Sequence, residues 1–474
     1  MFNNSHLKHL AEIKTQEIEL GTLDLAMFGT VMGDIYLYKN GRNDPDFMPF
    51  DAVAHSFCML VANYYPILVG RPTVNSVGKG VMAVDPSNLC LPDIAEVFID
   101  HRAESFFEAR PNDSKDKPDT LFFNVHKFYR GSGVVHLPQA TYHRDHSAAF
   151  VRILRFKNNS YVGISLSVSH GLFDGTSYLA FINHWAEYAR NLDDVKNGTY
   201  QLAKPPNGDR QVMINCLDKV EPLAPPFIEH FRNIVSPLPM NFSTNIASVL
   251  MSLPDIQPIK DQHVLHFTPA NLERMRHYID EEQTINVTLI ALLAKSMLQA
   301  NIKAFGEEQQ ISYVAMAYDG RTRSTIPRNF SGNASCPTIA PLSPQMLLNS
   351  SYKDLSRIIT RYGSKTESGH MKSTILMIEN ELNVLHQIGI SLCNTPESSY
   401  IGMTNLRYMP YYSVDFGFGG PIFLGLDYFQ TDGMSRLLLN KQDGGLDLYL
   451  NYSDAHFEVF RQLDDIKMFA DIIY

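Results

Sequence analysis

Residues 161–177 read YVGISLSVSHGLFDGTS, and this stretch contains a strand, a tight turn and the start of a helix. Apolar residues alternate with glycine or serine from 162 to 169, the period of two that is typical of a β-strand. Residues suited to a turn follow between 171 and 175, and Thr176 or Ser177 is predicted to cap the helix. His170 lies where the predicted strand ends.

The chemical role of His170 has two readings. On spacing alone, a histidine with an aspartate four residues later is more simply explained as a buried histidine whose polar atoms bond to the backbone. Its place at a strand end, among turn residues, favours a functional role. A neutral imidazole has an unperturbed pKa of about 6.5 and accepts a proton near neutral pH, so we interpret His170 as a general base. Asp174 is set back in the turn and is predicted to pair with an arginine and brace the loop. No GxSxG segment precedes His170, so a covalent serine hydrolase is not favoured.

Length and composition indicate a large globular protein. The 474 residues are too many for one compact core, so two domains are expected. Hydrophobic residues make up 45% and charged residues 19%, which argues against disorder. Prolines interrupt every long element between about 192 and 262. We therefore predict an N-terminal domain at 1–195, a crossover linker at 196–262 and a C-terminal domain at 263–474.

Charge, cysteine and histidine patterns exclude several classes of protein. The net charge of −10 disfavours nucleic acid as the main partner, although a local basic pocket for a phosphorylated ligand is allowed. The five cysteines form no CxxC pair, which predicts free thiols in a reducing compartment. His143 and His146 have no cysteine or glutamate at a metal-binding spacing, so no metal site is predicted. Because no N-terminal apolar segment and no apolar run of about 18 residues is found, we expect a cytoplasmic protein without membrane insertion.

Two further stretches are candidates for a functional site. Residues 319–323 read DGRTR and are followed by FSGN at 330–333. Their two arginines are suited to clamp a carboxylate, but a solvated basic loop explains them equally well. Residues 415–421 read DFGFGGP, which is neither a GxGxxG pattern nor the start of a helix, so a phosphate-binding role is not favoured. A structural role for this glycine-rich loop is predicted instead.

Taken in order, these segments resemble the motifs of the BAHD family of acyl-CoA-dependent acyltransferases, within the chloramphenicol-acetyltransferase-like superfamily. HGLFDG at 170–175 matches the family's HxxxDG, and DFGFG at 415–419 matches its DFGWG with Phe418 in place of tryptophan. The DGRTR and FSGN segments are similar to DxRxR and YFGN. YYPILVGR at 64–71 resembles YPxxAGR, and residues 181–190 resemble the helix that carries WAxxxR. Five motifs in the family's order are a specific signal.

The resemblance implies an α/β fold of two chloramphenicol-acetyltransferase-like domains, with mostly antiparallel or mixed sheets flanked by helices and an active-site tunnel between them. It implies that His170 deprotonates a hydroxyl or amine of a small metabolite. That nucleophile attacks the thioester of acyl-CoA through a tetrahedral intermediate, and no covalent acyl-enzyme forms. Acyl-CoA is thus a co-substrate, no cofactor is bound, and a monomer in secondary metabolism is expected.

Supporting residues are also implied by the resemblance. Asp174 points away from the substrates and pairs with Arg321, and the Thr404 hydroxyl contacts the oxyanion. Structural or binding roles fall to the remaining matched positions, Asn333, Asp415, Gly417 and Gly419.

Departures from the family pattern affect the expected identity of the acceptor molecule more than the expected type of reaction. Tryptophan is missing from the DFGFG segment and from Thr404-Asn405-Leu406, and residues 157–159 replace a glycine pair. These changes resemble fungal or other microbial members, such as trichothecene acetyltransferases, more than plant ones. Ser169 replaces the first histidine of the HHxxxDG found in condensation domains. Two alternatives stay open: transfer from a carrier-protein thioester, and a ligand-binding member of the fold without catalysis.

Overall fold

The computed structural model describes residues 4–28, 31–110, 121–125, 127–128, 147–223, 235–237, 262–306, 311–364, 367–381, 390–392, 398–426 and 433–474. The α-helices, in chain order, are α1 (Asn4–Ala11), α2 (Thr22–Ala26), α3 (Phe50–Tyr64), α4 (Gly175–Arg190), α5 (Leu192–Lys196), α6 (Gln211–Leu217), α7 (Pro269–Ile279), α8 (Ile285–Phe305), α9 (Pro344–Asn349), α10 (Tyr352–Gly363), α11 (Ser368–Glu381), α12 (Asp454–Phe460) and α13 (Asp464–Phe469).

The β-strands are β1 (Gln16–Glu19), β2 (Val31–Lys39), β3 (Arg71–Val74), β4 (Gly80–Val84), β5 (Asp93–Ile99), β6 (Phe107–Ala109), β7 (Leu121–Phe123), β8 (Ala149–Phe156), β9 (Tyr161–Ser169), β10 (Val235–Pro237), β11 (Gln262–Phe267), β12 (Ile311–Asp319), β13 (Ser335–Leu342), β14 (Ile390–Leu392), β15 (Ser398–Asn405), β16 (Phe423–Leu426), β17 (Met434–Leu439), β18 (Leu446–Asn451) and β19 (Asp471–Ile472).

The first large sheet has the strand order β16-β2-β9-β8-β5 and contains the strand predicted before His170. β9 is central and pairs antiparallel with both β2 and β8. Its alternation does not produce an exposed face, because Ser167 is 7% exposed and Ser169 only 2%. The small side chains of β9 instead allow a second layer to cover the sheet near the histidine.

The second large sheet has the strand order β13-β12-β15-β17-β18-β11-β19. β15 pairs parallel with β12 and β17, whereas the other neighbouring strands are antiparallel. Helices pack against this sheet around a core that includes Leu293, Ile359 and Phe460. The predicted α/β class, with two mostly antiparallel or mixed sheets flanked by helices, is confirmed.

Helix α8 is long and rich in apolar residues. By length and composition alone, Ile285–Ala304 is apolar enough to cross a membrane, with a mean hydropathy of 1.4. In the fold, 61% of that window is buried, and Leu289 and Ala294 are fully covered. This burial is the property of a helix at the centre of a protein core. Its cap is Thr284, whose side chain accepts a hydrogen bond from Val287 N.

A strand from the C-terminal half completes the first sheet. β16 pairs antiparallel with β2, with Leu424 opposite Tyr36. An exposed edge of β2 would leave backbone donors and acceptors unpaired, and β16 covers them. A single cut in the chain therefore does not separate the two sheets, and the boundaries at 195 and 262 stay a prediction.

The first half is held around one large aromatic residue. Trp185 on α4 is fully buried, and its Nε1 donates to the backbone oxygen of Val53 on α3 at 3.0 Å. Phe57 and Phe416 contact its ring edge-to-face.

The cysteines in the described residues are free thiols, as the scattered spacing predicts.

Candidate active site

The turn after His170 is organised by Asp174, which caps helix α4. Asp174 Oδ1 accepts a hydrogen bond from Ser177 N at 2.9 Å, so neither Thr176 nor Ser177 is the cap that the sequence suggested. An aspartate in this position reaches the free amides of the first helical turn. Its other oxygen, Oδ2, accepts from Arg321 Nη1 at 2.7 Å and from Ala334 N at 2.8 Å. The capping residue is thereby tied to the second half of the chain.

Arg321 is the partner that the resemblance implied for Asp174. It lies in the segment between β12 and β13, and its guanidinium is fully buried. Each of its N–H donors has an acceptor. Nη1 donates to Asp174 at 2.7 Å and to Asp319 at 3.0 Å. Nη2 donates to Ser177 Oγ at 2.8 Å and to Gly332 O at 2.7 Å, and Nε donates to Phe330 O at 3.0 Å. A buried charge with every donor satisfied fixes the relative position of the two halves.

Burial and charge act in opposite directions on this ion pair. Burial raises the pKa of Asp174, but the Arg321 guanidinium and the amide donors outweigh that effect and hold the pKa below its ordinary value. Burial also disfavours the charged form of Arg321 and so lowers its pKa, but the Asp174 and Asp319 carboxylates outweigh this and hold the pKa of Arg321 above its ordinary value. Both groups are therefore charged at neutral pH.

His170 is half-buried at the end of β9, and its ring is oriented by Asn333. Asn333 Nδ2 donates to the His170 backbone oxygen at 2.8 Å and to Asp24 Oδ1 at 3.0 Å. Because both partners are acceptors, they fix which end of the amide is nitrogen. The Asn333 oxygen then faces His170 Nδ1 at 3.2 Å, so Nδ1 carries the proton. The Nε2 atom of the neutral ring is left with a lone pair.

The environment of His170 favours the neutral ring. Burial lowers the pKa of His170 below its ordinary value, and this outweighs the raising effects of its own backbone, Asp174 and the Asn333 hydrogen bond. The ring is therefore able to accept a proton at physiological pH. Gly171 gives the adjacent turn its close packing, since a Cβ there would lie 2.5 Å from the Cα of Phe28.

A second buried ion pair lies behind Asn333, and the sequence reasoning missed it. Asp24 on α2 is 2% exposed, and its Oδ1 accepts from both Asn333 N and Nδ2 at 3.0 Å. Its Oδ2 accepts from Arg210 Nε at 3.1 Å, and Arg210 Nη2 donates to Leu172 O at 2.9 Å. Arg210 comes from the predicted crossover linker, which therefore supports the histidine turn. The sequence did contain a signal for this buried ion pair, because Asp24 interrupts the otherwise apolar run at 23–26.

The glycine-rich loop at 415–421 is built on one carboxylate. Asp415 Oδ1 accepts hydrogen bonds from the backbone of Gly417 at 2.7 Å, Phe418 at 3.0 Å and Gly419 at 2.8 Å. Gly417 and Gly419 have φ of 101° and 91°, a conformation that disfavours any side chain. Within the described residues no hydrogen bond connects this loop to His170, so the contacts are those of a structural anchor.

The remaining predicted positions are less closely tied to the histidine. Thr404 is half-buried near the end of β15, opposite Arg436 of β17. Its hydroxyl makes no hydrogen bond inside the described part of the chain. His143 and His146 lie outside the described residues. The structure thus brings together His170, Asn333, Asp174 and Arg321, and it holds Asp415, Gly417 and Gly419 in a separate loop.

Known proteins share both the sequence pattern and this fold. The chain is 24% identical over 420 residues to fatty alcohol:caffeoyl-CoA acyltransferase of Arabidopsis thaliana, covering 86% of this chain and 83% of that protein. It is 23% identical to hydroxycinnamoyl-CoA:piscidic acid hydroxycinnamoyltransferase of Actaea racemosa, with 84% of each chain covered.

Solved structures agree with the architecture. TRI101 of F. sporotrichioides, complexed with coenzyme A and T-2, superposes with a TM-score of 0.70 at 12% identity, covering 97% of this chain and all of that one. Vinorine synthase superposes with a TM-score of 0.66 at 15% identity, covering 96% of this chain and 94% of that one. At such identities the structures show a shared fold. The Transferase family model matches residues 136–465, well over half of the chain, and the protein therefore belongs to this family of BAHD acyltransferases.

Proposed function

We propose that this protein transfers an acyl group from acyl-CoA to a hydroxyl or amine of a small metabolite, with His170 as the general base. The observation that carries the proposal is the orientation of the imidazole. Asn333 accepts the Nδ1 proton, so the Nε2 lone pair is the basic atom. Asn333 is a positioning residue, because it acts through the histidine.

The reaction proceeds by direct transfer. His170 Nε2 takes the proton from the acceptor as its oxygen or nitrogen attacks the thioester carbonyl. The tetrahedral oxyanion collapses, the carbon–sulfur bond breaks, and the CoA thiolate leaves and takes the proton from the imidazolium. Holding both substrates in one tunnel makes the attack effectively unimolecular. Since a thiolate is a good leaving group, no covalent acyl-enzyme is needed.

Other residues act on this step indirectly or at the oxyanion. We assign the Thr404 hydroxyl to a hydrogen bond with the developing negative charge. Asp174 and Arg321 are positioning residues that hold the turn and join the two halves of the site. Asp415 stabilises the glycine-rich loop at 415–421 through three backbone amides.

The names of similar proteins support the proposed acyl donor. Two similar enzymes are named for caffeoyl-CoA and hydroxycinnamoyl-CoA, and TRI101 was solved with coenzyme A. These names support a CoA thioester as the acyl donor. Kinship with fungal or microbial members remains a proposal based on the missing tryptophans, because the similar sequences include plant enzymes. A cytoplasmic monomer also remains a proposal.

The test begins with purified protein, a panel of acyl-CoAs and a metabolite extract, with acylated products detected by mass spectrometry. Free CoA is then measured for the reactive pair. His170→Ala is expected to lower the rate about 10²–10⁴-fold, since a positioned general base contributes that much. The matched control is His277→Ala, an exposed histidine on α7 that pairs with Glu281.

Three outcomes would contradict the proposal. Transfer at near wild-type rate in His170→Ala would exclude the assigned base. Activity with a pantetheine-loaded carrier protein but not with free acyl-CoA would favour the carrier-dependent alternative. Calorimetric binding of CoA or an acceptor, with no product from any pair, would favour a binding protein that keeps the fold.

A further inference from the structure

A cluster of histidine and aspartate side chains lies away from His170, between helices α1 and α3. His6 and His9 are three residues apart on α1, and Asp51 and His55 are four residues apart on α3. Residues at these spacings share one face of a helix. Each pair therefore faces the other helix. Ligand atoms of His6, Asp51 and His55 all lie within 4.8 Å of one another.

In the part of the chain that the structure describes, the polar contacts of this cluster leave a buried nitrogen of His55 without a hydrogen-bond partner. His6 Nε2 lies 2.9 Å from Asp51 Oδ1, and His9 Nε2 lies 3.0 Å from His55 Nε2. His55 Nδ1 is buried, and it has no hydrogen-bond partner among the described residues. Buried polar atoms are nearly always satisfied, so a ring nitrogen in this condition points to a missing partner.

The nature of that partner follows from the tautomer of His55. If His55 Nε2 donates its proton to His9, Nδ1 holds a lone pair directed at no donor. A divalent cation accepts that lone pair, and it also accepts the lone pair of a second imidazole and a carboxylate oxygen. We propose that His6, Asp51 and His55 form a zinc site, with water in the fourth position and His9 as the positioning residue behind His55.

The geometry is suited to this ion. Neutral imidazole and carboxylate are ligands that zinc prefers, with bonds of about 2.0–2.2 Å. Asp51 is 67% exposed and already places Oδ1 at 2.9 Å from His6 Nε2, while the 1% exposure of His6 makes it a fixed ligand. A metal ligand commonly donates its second ring N–H to another group, which is the arrangement that His9 offers to His55.

The site would attach the N-terminal helix to the body of the protein. Helix α1 has eight residues, which is too short to be stable alone in water. It packs on α3, and α3 in turn holds α4 through Trp185. The zinc site is thus structural, and it is independent of the proposed acyl transfer. The four residues lie in two segments about 45 positions apart, so sequence spacing did not indicate them.

The test uses full-length protein that is first stripped with a chelator. Co²⁺ is added as a spectroscopic probe, and a visible absorption band of four-coordinate Co²⁺ is expected at one equivalent, followed by its loss when Zn²⁺ displaces it. Asp51→Asn and His55→Leu should each abolish the band, and His9→Ala should weaken zinc affinity about 10–100-fold, the usual loss for such a supporting partner. Zinc should raise the melting temperature of the wild type but not of Asp51→Asn.

The control is His277→Ala, which removes a surface histidine that also pairs with a carboxylate. It should bind Co²⁺ as the wild type does. Because Asp51 is exposed, its variant is expected to fold even where His55→Leu does not. A wild-type protein without the band, or an Asp51→Asn protein that keeps both the band and the thermal shift, would overturn the proposal. Neither result depends on finding the acyl acceptor.

Discussion

Replacing Asn333 with leucine removes the group that orients the His170 imidazole while keeping the number and branching of the side-chain heavy atoms. In the wild type, the Asn333 oxygen accepts from His170 Nδ1 at 3.2 Å. In the proposed transfer the imidazole becomes a cation, so this hydrogen bond is then made to a charged group and should contribute about 1.5–3 kcal/mol. Since about 1.4 kcal/mol corresponds to a tenfold change in rate, kcat/KM should fall about 10- to 150-fold.

The pH dependence distinguishes this effect from a general loss of structure. The hydrogen bond to Asn333 raises the pKa of His170, in opposition to the dominant lowering effect of burial. Its removal should move the acid limb of the kcat/KM profile to lower pH. The assay is CoA release over a pH series, with Asn329→Ala as the control from the same loop, where the side chain donates to Pro205 O instead.

A particular result would refute the reasoning. If Asn333→Leu keeps kcat/KM within about twofold of wild type and leaves the acid limb in place, this hydrogen bond does not set the active tautomer. Loss of activity with an unchanged acid limb and a lower melting temperature would instead assign Asn333 to stability.

Three more outcomes are expected from the two buried ion pairs. Arg321→Ala leaves the Asp174 carboxylate buried without its cation, so the free energy of unfolding measured by chemical denaturation should fall by roughly 3–5 kcal/mol. The control is Arg323→Ala, which removes an exposed arginine and should change this free energy little. Because the folded-state pKa of Asp174 is depressed, its stabilising contribution is present above the unfolded pKa of about 3.9 and is lost as the pH falls through the folded pKa. Unfolding free energies measured from about pH 5 down to pH 2 should therefore decline less steeply in Asp174→Asn than in wild type; parallel slopes would contradict this. Asp24→Ala removes the carboxylate that accepts from Arg210 Nε and from Asn333 Nδ2, so the melting temperature and kcat should both decrease. If neither decreases, Asp24 does not support the histidine turn.

The part of the site built from local sequence was predictable. The alternation before His170 and the turn residues after it are contiguous patterns, and they predict the strand, the turn and the helix that follow. The pairing of Arg321 with Asp174 spans 147 residues, and it was implied by the family resemblance rather than by either segment alone. The helix cap was assigned to the wrong residue, because Thr176, Ser177 and Asp174 have similar capping preferences, and the Asp174 carboxylate is the one that accepts from Ser177 N while it also pairs with Arg321. Helix-capping propensity alone does not distinguish these three residues.

What could not be predicted depends on long-range pairing. Asp24 and Arg210 are 186 residues apart, and each looks ordinary in its own segment. The pairing of β16 could not be predicted either, because nothing in its four residues indicates that it pairs with β2. These contacts arise from burial and from the need to pair polar groups in the folded chain, which a reading along one segment does not contain.

The crossing of β16 has a consequence for how the protein is made. On the ribosome β2 is complete at Lys39, yet its edge partner begins at Phe423, so nearly the whole chain must be synthesised before that edge is covered. An unpaired strand edge during this interval is a template for association with other nascent chains. We therefore expect chains truncated before β16 to leave this edge of β2 uncovered and to be recovered poorly in soluble form.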